Sequence, residues 1–343
     1  MPGLRLTLCR PQYSLRSLFI LIAIVSIPLA FQARREHQYR LRVAAQRVLS
    51  KQGYVYASNR NIDHNEFDML KRDDVVDGVS LSWDVSDDEF AAMLCFPTLT
   101  RLNLDGIRII DAQLCEIAKL PLIEDLDLSD TAISDEGLRH LARMRTMRKL
   151  NLSRTKISGA GLAFLSSMRQ LKELNLKGDE IDGESLRHLA GLSSLRVLNL
   201  SHTKISGAGL AHLSSMPQLE RLNLNGDDID GESLPHLAGL SSLEWLKLEE
   251  TCVTDKGLSS LRGLTSLRFL DLGFCAISDS GLGHLPEMPS LIELICCETS
   301  VTTSGAKRLH TMSPKARIYW GSTRSPAWAI GPDGVVHEVN LGK

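Results

Sequence analysis

The sequence predicts an α/β solenoid: a curved parallel sheet on its concave face, short helices or 3-10 turns on its convex face, and a transmembrane helix ahead of it. Three observations carry this. Met147–Ser194 and Leu195–Ser242 are one 48-residue block written twice, identical at 38 positions. Each block divides into two 24-residue units with the frame LxxLxLxxTxIxxxGLxxLxxLxx. Near the N-terminus, 17 consecutive uncharged residues, Ser17–Ala33, stand between Arg16 and Arg34.

Residues 1–16 are a basic lead. Residues 17–33 follow as the expected single-pass anchor, with its apolar heart at Leu18–Phe31. Seventeen residues is the short end of what a spanning helix needs. Pro28, Ala30, Phe31 and Ala33 make poor cleavage positions, so an uncleaved anchor is preferred to a removed signal peptide. Arginines on both sides leave the side of the repeat domain open: the excess after the span argues for the cytoplasmic side, while the lead followed by an apolar run also resembles an export signal.

Residues 34–75 are the expected juxtamembrane helix and N-terminal cap. Leu41, Ala44, Ala45, Val48 and Leu49 gather on one helical face, and Gly53 ends the helix. Tyr54–Tyr56 is predicted as a short strand covering the first repeat, because an exposed solenoid end needs a cap. The polar Asn59–Asp74 reads as a loop.

Residues 76–320 hold the array. In LxxLxL the leucines alternate with polar residues, the period of a strand with one buried face. GLxxLxxL has helical spacing and one apolar side. No unit buries its own leucines; stacking lines them into a continuous core. The first repeat, from Val76, matches with one residue missing. Nine units of 24 residues begin at Leu99, Ile123, Met147, Leu171, Leu195, Leu219, Leu243, Leu267 and Leu291, and a last strand is predicted over Lys315–Trp320. The sheet should then have about eleven parallel strands and run roughly 50 Å. Residues 321–343 leave the frame; Gly331–Gly334 is a turn sequence, and either a small hairpin over the open end or a loose tail fits.

Charge narrows the ligand class. Residues 1–50 sum to +7 and residues 51–75 to −1, which leaves −8 for the repeats in a total of −2. An acidic array argues against nucleic acid, whose phosphates need a basic face. The seven cysteines show no spaced framework and read as free, mostly buried thiols, with a bridge among Cys252, Cys275 and Cys297 left open.

Leu99–Trp320 resembles leucine-rich-repeat proteins whose units read LxxLxLxxTxITDxGLxxLxxL; Ile123–Thr146 and Leu243–Ser266 match that pattern most closely. With an arginine-flanked apolar anchor before the repeats, the chain is similar to bacterial membrane-anchored leucine-rich-repeat proteins. Its unit style resembles that of ribonuclease-inhibitor-like and F-box proteins, which hold another protein on the array. No F-box-like module precedes the repeats, so a substrate-recognition role in ubiquitin transfer is not carried over. The resemblance implies a non-enzymatic protein-interaction scaffold, tethered to the membrane through residues 17–33. The alternative is a passive structural or self-assembling envelope component.

The third, fifth and seventh residues of each unit should face the concave side. The fifth column begins Asn103, Asp127, Asn151, Asn175, Asn199 and Asn223, and reads as a solvated surface. Toward the C-terminal end Trp245, Phe269, Phe274, Ile295 and Tyr319 bring aromatic and apolar groups to positions expected to be exposed. Glu249, Glu250, Asp271, Glu293 and Glu298 surround them. Clustered aromatics within a polar rim suit recognition, so these residues are the candidate partner-binding surface, unless the C-terminal tail folds over them. His140, His188, His212, His236 and His284 share one position, but no carboxylate or thiolate motif accompanies them and no metal site is assigned. The acids around Asp179 and Asp227 lack a glycine-pinned calcium loop and read as solvated turns. There is no nucleophile elbow, phosphate-cradling loop or HExxH motif, so neither cofactor, small-molecule substrate nor catalytic residue is expected.

Overall fold

The computed structural model describes residues 53–57, 60–62, 76–81, 85–285, 288–322 and 327–339. The expected anchor at 17–33 and the helix over 34–52 lie outside them. Among the described residues no helix is long and apolar enough to cross a membrane.

The strands are β1 (Gly53–Ala57), β2 (Arg60–Ile62), β3 (Val76–Leu81), β4 (Arg101–Asn103), β5 (Asp125–Asp127), β6 (Lys149–Asn151), β7 (Glu173–Asn175) and β8 (Val197–Asn199). They continue as β9 (Arg221–Asn223), β10 (Trp245–Lys247), β11 (Phe269–Asp271), β12 (Glu293–Cys297), β13 (Arg317–Gly321), β14 (Ala327–Ile330) and β15 (Val336–Val339). All fifteen form one sheet in the order β15-β14-β13 down to β4-β3-β1-β2. From β3 to β13 the eleven strands are parallel neighbours. The register is one unit per strand: Leu198 faces Leu222. Between β3 and β4 the offset shortens, Val79 facing Leu102, which is the missing residue of the first repeat.

Each short strand buries its middle residue, and the next leucine closes the core beneath the turn: Leu198 and Leu200 are almost completely covered. One row of leucines after another repeats this from Val79 to Ile318, so the core is a single continuous cluster. The helical side is α1 (Asp87–Met93), α2 (Asp111–Ile117), α3 (Asp135–Leu141), α4 (Asp279–Leu282) and α5 (Thr303–Met312), with 3-10 helices in the units between α3 and α4. Glycine and serine in GAGL and GESL are poor α-helix formers, and the turn there tightens to 3-10 geometry.

Neighbouring units lock through their helical starts. Asp135 Oδ1 accepts from Ser158 N at 2.8 Å and Asp135 Oδ2 accepts from Ser158 Oγ at 2.6 Å. The carboxylate fits because the facing residue is Gly161, where a Cβ would overlap Asp135 Oδ1. The same pairing recurs at Asp111 with Ser134, Asp255 with Ser278 and Asp279 with Thr302. Gly183 and Gly209 meet backbone to backbone instead, so neither position has room for a side chain.

The eighth residue of each unit turns the chain away from the sheet with positive φ, whatever its identity: Gly106, Asp130, Arg154, Gly178, His202, Gly226, Glu250, Phe274 and Glu298. The ninth position is normally threonine, whose hydroxyl donates to the carbonyl three residues back, as Thr203 does to Leu200 at 2.7 Å.

Two aspartates take that position, and here the expectation of solvated turns fails. Asp179 and Asp227 are 2% and 3% exposed. Asp179 Oδ1 accepts from Thr155 N at 2.8 Å and Thr155 Oγ1 at 3.2 Å. Asp227 is held the same way by Thr203. The second oxygen of each carboxyl is buried with no hydrogen-bond partner. Burial pushes both carboxyls up to about 7, against the pull of the threonine hydrogen bonds. The later acids of the two turns, Asp182 and Asp230, are exposed and bind Ser185 and Ser233.

Both ends of the sheet are closed by antiparallel hairpins. β1 pairs with β3 and β2 with β1, so the predicted capping strand forms, and Arg60–Ile62 is strand where a loop was expected. At the other end β14 pairs with β13 and β15 with β14 across the Gly331–Gly334 turn. The tail therefore continues the sheet sideways; its described strands do not fold back over the aromatic residues.

Candidate interaction surface

The open face of the sheet carries the third, fifth and seventh residues of every unit. Its polar fifth column is not merely solvated. Asn199 Oδ1 accepts from Ser201 N at 3.1 Å and Ser201 Oγ at 2.9 Å. Asn103, Asp127, Asn151, Asn175, Asn223 and Asp271 accept from the backbone two residues on in the same way. These side chains finish the strand by satisfying a backbone N–H that the turn would orphan. Their uniformity follows from that work.

Beyond Asn223 the face changes. Trp245 and Phe269 begin β10 and β11 in register, and their rings stack with centroids 5.0 Å apart and planes 19° from parallel. The Arg221 guanidinium lies 5.7 Å from the Trp245 ring centroid and the Lys247 ammonium 5.1 Å. Strand pairing dictates this row, since residues in register stand one strand spacing apart on the same face. Trp245, Phe269, Ile295 and Tyr319 are half-buried rather than exposed, Trp245 and Phe269 covering each other in the stack; Phe274 alone of the five is exposed, at 46%. Ile295, Tyr319 and Ala329 of β14 are in register, so the hairpin lengthens the apolar floor.

The acids divide. Glu250 is exposed, while Glu249, Glu293 and Glu298 are half-buried. Asp271, expected on the rim, lies in the floor at 4% exposure, with Oδ1 accepting from Gly273 N at 3.1 Å and Oδ2 3.8 Å from Lys247 Nζ. Burial raises its pKa against those two contacts. Glu249 is tied to Asn225, accepting from Nδ2 at 2.7 Å and donating its own N–H to Oδ1 at 3.0 Å. Burial and then the neighbouring Asp271 charge raise the Glu249 pKa as well. Glu298 accepts from Ser322 Oγ at 2.8 Å.

The remaining candidates fall away from this face. His212 Nε2 is 3.3 Å from Glu184 Oε2, and among the described residues no group of histidines, cysteines and acids is placed to hold a metal. Cys252, Cys275 and Cys297 are free thiols. Burial pushes the Cys297 thiol up to about 11, and Cys275 is raised too, so neither is a ready nucleophile. The sequence reading missed the cation–aromatic row; reading Arg221, Trp245 and Phe269 as one column would have shown it.

A family model for the leucine rich repeat matches residues 145–205 and 169–229, and a second leucine-rich-repeat model matches 119–142 and 263–285. No curated protein matches. Solved structures with similar folds include two internalins of Listeria monocytogenes. Internalin C2 is 25% identical over 59% of this chain and 80% of its own, with a TM-score of 0.43. Internalin F is 19% identical over 77% and 84%, with a TM-score of 0.47. The ectodomain of the Arabidopsis receptor kinase HAESA, solved with an IDA peptide hormone, is 21% identical over 65% of this chain and 37% of its own, with a TM-score of 0.49.

Proposed function

Because the chain is a leucine-rich-repeat protein with one face of its sheet left open by the described residues, we propose that it is a non-enzymatic scaffold that holds a protein partner on that face. The domain plan behind this reading is a basic lead at 1–16, a single-pass membrane anchor at 17–33, a juxtamembrane helix and cap at 34–75, the array at 76–320 and the hairpin tail at 321–343. The binding surface is Trp245, Phe269, Phe274, Ile295 and Tyr319 with Glu249, Glu250, Asp271 and Glu293.

One observation carries the proposal: the Trp245–Phe269 stack on a face that is mostly polar in the units before it. The fold does not require it. The units before it place lysine, glutamate, valine and arginine at the same register position and keep the same leucine core. Large aromatics in a polar surround are the side chains that contribute most at protein interfaces. The test is crosslinking from intact membranes followed by mass spectrometry, comparing the natural protein with Trp245→Ala and Phe269→Ala. A partner recovered with the natural chain should be lost with both variants while their melting temperatures stay within a few degrees. Equal recovery would overturn the proposal and leave the passive, self-assembling envelope component as the better account.

A further inference from the structure

The turn at the C-terminal end of the open face has a residue that the fold has no use for. Phe274 occupies the eighth position of its unit at φ 57°, a left-handed conformation that bulky side chains rarely adopt. The other units place glycine or a polar residue there. At 46% exposure Phe274 gives little to the core in return. Its neighbours at the same position are Glu250 before it and Glu298 after it, each about one strand spacing away. The residues beneath are Glu249, which approaches the space above Gly273, and the buried Asp271.

Phe274 thus stands between two glutamates at the same turn position, and Glu249 and Asp271 both approach the neighbouring Gly273. Among the described residues, Lys247 lies against both Asp271 and the Trp245 ring, and Arg221 lies over that ring. Acids crowded on a partly dry surface favour an incoming cation, and an exposed ring face offers it a second attraction. The Trp245–Phe269 stack starts the strand and Phe274 follows its end, about five residues at about 3.3 Å each. An extended partner segment covers that span with a similar number of residues.

We infer that the partner is a protein segment in extended form whose arginine or lysine lies over Phe274 between Glu250 and Glu298, while an apolar side chain about five residues away seats on Trp245, Phe269 and Ile295. This rests on the partner-binding reading above and adds the chemistry of what is bound. An acidic segment is disfavoured at the same seat by Glu250 and Glu298.

The test uses the purified full chain and two fluorescent peptides in a glycine-serine background. Both have a tryptophan; one has an arginine about five residues from it and the other a glutamate there. Anisotropy should show the arginine peptide binding at least about tenfold tighter, an advantage that shrinks as salt rises. Phe274→Gly should weaken the arginine peptide several-fold and leave the glutamate peptide unchanged, because the ring is lost while the acids remain. Its melting temperature should hold or rise, since glycine relieves the backbone strain. Glu250→Gln with Glu298→Gln should weaken binding several-fold. Equal affinity for the two peptides, or unchanged binding by Phe274→Gly, would overturn the inference. Partner crosslinking separates this from the broader reading. If Trp245→Ala abolishes recovery and Phe274→Gly does not, the sheet face binds a partner but the basic anchor is wrong. If neither changes it, both readings fail.

Discussion

Replacing Asp179 and Asp227 with asparagine should make the protein more stable above neutral pH, with a smaller gain at about pH 5 and little change only below the ordinary carboxylate range. Each carboxyl titrates at about 7 in the folded chain, against an ordinary value of 3.8. The folded state therefore holds these protons more tightly than the unfolded state. The stability they contribute is complete below the ordinary value and is lost as pH rises through about 7. At about 1.4 kcal/mol per pH unit the full loss is about 4 kcal/mol per site, of which somewhat more than half falls above about pH 5. Asparagine is neutral throughout and keeps an oxygen where Oδ1 receives the Thr155 or Thr203 N–H. Urea midpoints at about pH 5 and about pH 8 measure the effect, and the informative quantity is the difference between the natural protein and the double variant, which differ only at these two carboxyls. The natural protein should lose more stability on going to the higher pH, and the double variant should exceed it there. If both proteins lost equal stability, or if the double variant were weaker at both pH values, the burial argument would be wrong.

Two further outcomes test the way the units fit together. Gly161→Ala should destabilise by about 1–3 kcal/mol, because the new Cβ overlaps Asp135. In Asp135→Ala the same change should cost clearly less, a coupling that a double-mutant cycle in urea would expose. Asn199→Ala should cost about 1–2 kcal/mol by stranding the Ser201 N–H, yet leave partner recovery intact, as expected of a residue that braces the strand rather than meeting a ligand.

The leucine period made most of the fold legible. It set the strand register from Leu102 to Ile318, and the shortfall of one residue at Val79 appeared as a shortened offset in the same place. The Tyr54–Tyr56 cap and the last strand were legible because an open solenoid end must be covered and Ile318 and Trp320 still kept the leucine spacing. The burial of Asp179 was not, because an acid after Gly178 has turn composition; yet it stands where Thr131 and Thr251 are buried, and comparing positions down the array would have flagged it. Asp271 misled for a related reason. Most of its column accepts the backbone N–H two residues on, and Asp271 does so too while lying in the floor. The half-burial of Trp245 and Phe269 needed coordinates, because each is covered by the other and neither alone signals a stack.

The alternation of threonine and aspartate at the ninth position limits how such a molecule can be lengthened. Asp179 and Asp227 each lean on a threonine from the unit before, which donates both an N–H and a hydroxyl. Copying one aspartate-bearing turn beside itself would put two dry carboxyls about one strand spacing apart, with no hydroxyl for the second. Copying two turns together keeps every acid next to its donor. The 48-residue pair that occurs twice in the chain is therefore a safe increment, whereas an aspartate-bearing unit should not be added without a threonine-bearing one before it.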